Sequence, residues 1–412
     1  PEVAAQLLKA VQPLLRLRPE LFDYVVLVFR KAVFNKEPTS RLIAVTGFVE
    51  SVQLGDACIL TPPANQREMT GGEVNHAEQA ANDMRVQAFG LFRRCLTQQY
   101  VVRERVYCSL SKMFEISPSS REAILELLAS QWSRYYRPSD GPDDDLPPFD
   151  LTDCIYTDKK GIVIEEPLSA LIRCIHKCCC HSSVKSPQAD ADDEEDEDSP
   201  TSMLPKELWD ATDRMAACGL EDFGLNEQSD MNETSETGQR NAAKKFLLQS
   251  ICEAVIECAI LPPNAVQPVQ CLDVRVKSLS MRIFEGLHNQ LTIVTKSKSK
   301  AVADRKVNGK RKSAAAATVS QSSRSQAPGS SPNGWSKREE ACMSLPCITL
   351  CLESLTTHKD KGTTEFMRLM LPFRSFVYKT CTGMLEKLEK ADCCTENDFK
   401  ELQGLTLALV KA

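Results

Sequence analysis

Leu-Phe-Asp-Tyr-Val-Val-Leu-Val-Phe-Arg-Lys-Ala-Val-Phe, from Leu21 to Phe34, decides the fold. Leu21, Val25, Val28, Phe29, Ala32 and Val33 recur at three- and four-residue spacing, the period of one face of an α-helix. The pattern repeats on either side. Ala4, Leu7, Leu8, Val11, Leu14 and Leu15 precede it, and Leu42, Val45, Phe48, Val49 and Val52 follow. Pro19 and Pro38 mark the junctions, where proline starts a helix at no hydrogen-bond cost. Helices joined by such short links fold back antiparallel on their neighbours. That is the building unit of an α-solenoid, here without a regular sequence period.

The rest of the 412 residues extends this reading. Gly55 to Glu73 is polar, with Pro62, Pro63, Gly71 and Gly72, and reads as a loop or domain boundary. Helical stripes resume from Ala81 to Leu96, Val101 to Met113 and Ile124 to Trp132, the last with Ser117, Ser119 and Ser120 as candidate N-caps. Cys154 to Thr157 and Ile162 to Glu165 flank Asp158-Lys159-Lys160-Gly161 and predict one small hairpin. Pro167 then opens a helix through Ile175. Further helices are expected at Lys206 to Cys218, Asn241 to Ile260, Leu272 to Val294, Glu339 to Leu355, Thr364 to Leu388 and Asn397 to Val410. The fold class is therefore all-α: an α-solenoid of antiparallel, HEAT-like helix pairs with an embedded helical domain and one small β-hairpin.

Two insertions of opposite charge interrupt the helices. Asp190 to Asp198 holds eight acidic residues out of nine, inside a segment, 182–200, with little to bury. Lys296 to Lys312 carries eight basic residues against Asp304, inside a Ser-, Ala- and Lys-rich stretch, 296–336. Both are expected to be disordered linkers. The acidic run suits a basic protein surface or mimics nucleic acid, or is a solvated spacer. The basic run, with Lys306, Lys310, Arg311 and Lys312, resembles a nuclear import signal and can contact DNA phosphates, or is a soluble spacer. Ser320 and Ser325, each followed by Gln, lie just beyond it and are candidate phosphorylation sites.

Composition narrows the function. Hydrophobic residues are 42% and aromatics 6%, with 17 Gly and 22 Pro, which disfavours all-β sandwiches and glycine-rich nucleotide folds. Net charge is −6. Pro1 rather than Met leads to the expectation of a fragment or processed product. The sequence shows no signal peptide and no run of 18 uncharged apolar residues, so no membrane association is expected. Several of the 18 cysteines, among them Cys252, Cys258, Cys347 and Cys351, sit on helical apolar faces, which with no secretion signal fits a reduced compartment, cytosol or nucleus. None of His76, His176, His181, His288 and His358 stands in a hydrolase, zincin or phosphate-loop motif, so the chain is expected not to be an enzyme and to need no cofactor. Cys174, Cys178 and His181 share a helical face and offer three zinc ligands without an obvious fourth. The other reading is a helix end rich in small buried thiols.

Several blocks, taken in order, closely resemble the middle of the Fanconi anaemia group I (FANCI) family. They are Leu7 to Leu15, Val26 to Phe34, Ala44 to Phe48, Arg-Arg-Cys-Leu-Thr-Gln-Gln (Arg93 to Gln99), Leu146 to Pro148, the hairpin with Glu-Glu-Pro-Leu (Glu165 to Leu168), the acidic run, Leu220 to Phe223 and the helix around Ile251 to Glu257. Beyond about Lys300 only the pattern matches. The resemblance implies a nuclear, non-catalytic scaffold that pairs with a group D2-like protein. The heterodimer clamps double-stranded or branched DNA in interstrand cross-link repair. It also implies that a ubiquitin ligase core complex attaches one ubiquitin to the lysine matching Lys31. Residues 1–54 would close a second solenoid segment, 74–295 form a second helical domain, and 337–412 begin a third solenoid segment. Vertebrate relatives carry a Ser-Gln cluster soon after this lysine, whereas 55–99 here has no Ser-Gln. Thr97-Gln98 is the only Thr-Gln there and is expected inside a helix, which puts phosphorylation control at that place in doubt. The rival reading is a generic HEAT-type adaptor for transport or assembly, without DNA binding.

Overall fold

A computed structural model describes residues 21–60, 82, 85–139, 146–159, 161–182, 200–226, 228–232, 235–260, 282, 286–289, 292–294 and 382. Its helices are α1 (Leu21–Val33), α2 (Pro38–Leu60), α3 (85–95), α4 (Tyr100–Ile116), α5 (Arg121–Trp132), α6 (Leu168–Ser182), α7 (Pro200–Ala217) and α8 (Glu236–Ile260). One two-stranded sheet pairs β1 (Ile155–Asp158) with β2 (Gly161–Ile164). The described residues are thus mostly helical with one small hairpin, as the sequence predicts. No described helix is long and apolar enough to cross a membrane.

Two compact units are distinguished. The first comprises residues 1–135, 164–182 and 187–204. In it α1 lies on α2, α2 on α4, and α6 on both α4 and α5. Val26, Phe29 and Val33 of α1 are buried, as are Ala44, Val45, Phe48, Val49 and Val52 of α2. Phe29 and Phe48 meet with ring centroids 5.2 Å apart. Gly47 makes this possible: a Cβ there would stand 2.3 Å from the Phe29 ring. The glycine forgoes about 1 kcal/mol of helix propensity so that an aromatic ring can pack against bare backbone.

The second unit comprises residues 136–163, 183–186 and 205–412. Its hairpin turns at Gly161, whose φ of 119° is open to glycine. Ile162 is buried, and its amide donates to Gln239 Oε1 of α8 at 3.4 Å. Asp150 caps the 3₁₀ turn ahead of β1 by accepting from the Thr152 amide, and pairs with Arg137 at 2.7 Å. Residues 282, 286–289 and 292–294 are helical, within the helix expected from Leu272 to Val294.

Several boundaries differ from expectation. Helix α2 runs on to Leu60, through the start of the expected loop at Gly55, because one glycine weakens a helix without ending it. Helix α7 starts at Pro200, not Lys206. Pro205 reads as a helix stop, but buried Leu204, Leu208, Ala211 and Met215 form one stripe that carries the helix through it. Ser182 and Pro200 are helical, and the acidic run between them lies outside the described residues. Helix α8 starts at Glu236 rather than Asn241, its N-terminus capped by Ser235 Oγ, which accepts from the Gly238 amide at 3.0 Å. Ser120 occupies the N-cap position of α5 but does not cap it; its hydroxyl pairs with that of Ser117 at 2.8 Å. The helices expected over 4–15 and beyond Lys337 lie outside the described residues, save helical Thr382.

Candidate functional site

Lys31 stands exposed in the last turn of α1, beside exposed Arg30. Tyr24, Leu27 and Val28 precede it by seven, four and three residues and therefore share its face. They are 69%, 48% and 61% exposed, and Phe34, three residues on, is 60% exposed. The primary amine thus rises from a stripe of large apolar side chains open to solvent. The opposite face, Val26, Phe29 and Val33, anchors the helix on α2.

The end of this helix is tied down. The Phe34 and Asn35 amides donate to the carbonyls of Lys31 and Ala32 at 3.3 and 3.1 Å. Gln98 Nε2 donates to the Val33 carbonyl at 3.4 Å from a turn 65 residues away. Arg41 at the start of α2 donates to Lys36 O, Gln98 Oε1 and Gln99 Oε1 at 3.4, 3.3 and 3.2 Å.

That turn corrects one expectation. Thr97 is not inside a helix. Residues 96–99 form the turn between α3 and α4, in which Thr97 and Gln99 are exposed, with the Thr97 hydroxyl donating to Arg94 O at 2.8 Å. The Thr97 and Gln98 amides reach the carbonyls of Arg94 and Cys95, tightening the helix end, and Gln99 is extended at φ −67°, ψ 153°.

Behind the turn lies a buried polar node. Arg103 Nε donates to Gln98 O at 2.7 Å, its Nη1 to Glu166 Oε2 at 2.8 Å, and its Nη2 pairs with Glu165. Tyr107 and Tyr135 also donate to Glu166, at 2.6 and 3.3 Å. Burial pushes the Glu166 carboxyl's pKa up, against the pull of these donors. Nothing local in the sequence distinguishes Arg103 from a surface arginine. Only its partner 63 residues away does.

The cysteine cluster does not assemble a metal centre: among the described residues no group of three or more His, Cys, Asp or Glu side chains is placed to hold an ion. Cys174 and Cys178 are buried in α6 and hydrogen-bonded to each other, which with burial raises the Cys178 thiol's pKa well above its ordinary value. Burial likewise pushes the Cys179 thiol up to about 12. The His181 ring instead meets Phe114 edge-on at 6.3 Å. Cys174, Cys178 and Cys179 are packed as small buried side chains. Lys306, Lys310, Arg311, Lys312, Ser320 and Ser325 lie outside the described residues.

The sequence pattern of FANCI helical domain 2 matches residues 66–280, just over half of the chain, and that of FANCI solenoid 2 matches residues 1–49. The chain belongs to the FANCI family. It is 33% identical over 264 residues to the Fanconi anemia group I protein of Gallus gallus, which covers 61% of this chain and 19% of that protein. To the Fanconi anemia group I protein homolog of Mus musculus it is 30% identical over 262 residues, with the same coverage. The chain spans about a fifth of the length of these curated FANCI relatives.

Proposed function

We propose that this chain is the central part of a nuclear, non-catalytic FANCI-type scaffold that pairs with a group D2-like protein and clamps DNA in interstrand cross-link repair. Lys31 is its ubiquitin acceptor. The observation that carries this reading is the exposed amine set among exposed Tyr24, Leu27, Val28 and Phe34, in a chain that belongs to the family. An acceptor amine must reach a ubiquitin thioester, attack its carbonyl and release the thiol as an amide forms. A lysine at a rigid helix end meets that requirement, and the apolar stripe offers a protein partner surface to cover. In the same reading residues 1–54, 74–295 and 337–412 are parts of solenoid 2, helical domain 2 and solenoid 3. The 296–336 linker supplies DNA or import contacts through Lys306, Lys310, Arg311 and Lys312, and Ser320 and Ser325 take phosphate.

The test is Lys31→Arg in the full-length protein. Arg keeps the charge and much of the stem but presents no acylatable amine. The ubiquitin-shifted band after cross-link damage is expected to vanish while the far-UV circular dichroism stays the same. A band of unchanged intensity removes Lys31 from the role.

A further inference from the structure

From the contacts around the end of α1 we infer that Arg41, Gln98 and Gln99 form a latch that holds the last turn of α1, and with it Lys31, in the geometry ubiquitin transfer needs. The inference rests on the acceptor reading above. The last four carbonyls of a helix have no partner within it, and an uncapped end frays first. Lys31 lies within that final turn. Its own carbonyl and that of Ala32 are met locally by the Phe34 and Asn35 amides. The Val33 carbonyl is met only from outside the segment, by the side-chain amide of Gln98.

Gln98 is itself fixed at three other atoms, its backbone amide donating to Cys95 O. Its Oε1 accepts from Arg41, and its backbone carbonyl accepts from the buried Arg103 side chain. Arg41 closes the loop by holding Lys36 O, just past the helix, and Gln99 Oε1. The cap is thus anchored, through Arg103, on the buried Glu166 carboxylate. Through their side chains Arg41, Gln98 and Gln99 bond one another and the Val33 and Lys36 carbonyls, not the Lys31 amine. They are positioning residues, which restrict Lys31 to one mount and so favour the reactive approach.

The experiment measures ubiquitin transfer to the full-length protein by its purified conjugating enzyme and ligase, as initial rate against substrate concentration. Arg41→Ala and Gln98→Ala are expected to lower kcat roughly three- to tenfold, as one or two lost hydrogen bonds would, with KM unchanged. Hydrogen exchange at the Phe34 and Asn35 amides is expected to speed up, while the melting temperature of the rest holds. Gln99→Ala is expected to lower kcat less, and Gln99→Glu, which keeps an acceptor oxygen for Arg41, to retain it. If Arg41→Ala does not fold, the exposed Gln99 pair decides. Unchanged kcat and exchange in the Ala variants overturn the latch, as does equal loss in Gln99→Ala and Gln99→Glu. Lys31→Arg runs in parallel. Loss of product there with normal latch variants refutes the latch alone, and persistent product refutes the acceptor reading and the latch together.

Discussion

Arg103 and Glu166 show how much one residue can hold. Both side chains are buried, 2% and 0% exposed; Arg103 is the cation that pairs with Glu166, while Arg103 also pairs with Glu165, which is 42% exposed. Removing one partner of a buried pair strands the other, at about 3–5 kcal/mol. Glu166→Gln is therefore expected to lower unfolding free energy by about that much, measured by urea titration of circular dichroism. Glu165→Gln, at the solvent edge, is expected to cost under about 1 kcal/mol. Equal effects would mean that the node is wet and that burial does not set its strength.

At the scale of the element, two devices set the geometry. The first is the bare backbone of Gly47 under Phe29. Gly47→Ala gains about 1 kcal/mol of helix propensity, but the methyl displaces a buried ring, and overpacking costs about 1–3 kcal/mol. Net destabilisation of up to about 2 kcal/mol is expected, with lost order in the α1–α2 pair seen as faster amide exchange. The second is Asp150, which caps its turn and pairs with Arg137. The Asp150 carboxyl is partly desolvated, which raises its pKa, but bonds from Thr152 and Arg137 outweigh this and hold it below its ordinary 3.8. A depressed folded value means that its contribution is present above pH 3.8 and is lost as pH falls through the folded value. The difference in stability between wild type and Asp150→Asn is expected to be full at pH 6 and to shrink below pH 3.8. A difference that stays constant down to pH 2 would assign the effect to shape rather than charge.

For the whole molecule, the −6 net charge hides segregation, with eight acids in one run and eight bases in another. Phosphates neutralised by the basic run release counterions, so DNA affinity falls with salt by about 0.9 log units per log of salt for each phosphate contacted. Replacing Lys306, Lys310, Arg311 and Lys312 with Ala is expected to weaken duplex binding and flatten that slope, with helicity unchanged. The same slope in the variant would put the contacts on folded helices and leave the run a tether or import signal. A chain with no DNA affinity at all would favour the adaptor reading.

The sequence by itself determined what is local. Apolar residues three and four apart wrote the helices, and two β-prone runs with Gly161 between them wrote the hairpin. Ordered blocks such as Arg93 to Gln99 carried the family, and with it the proposal for Lys31. Helix boundaries failed where a local breaker lost to burial, as at Pro205 beneath the Leu204–Leu208 stripe, or where a cap sat in a polar stretch, as at Ser235. Only the tertiary structure decided that Arg103 is a core residue, that Thr97 lies in an open turn, and that Gln98 caps a helix 65 residues earlier. A polar side chain whose partner is distant in sequence has no periodicity to reveal it. Its role exists only once packing on the helices between has closed the long loop and shut out the water that would otherwise satisfy it.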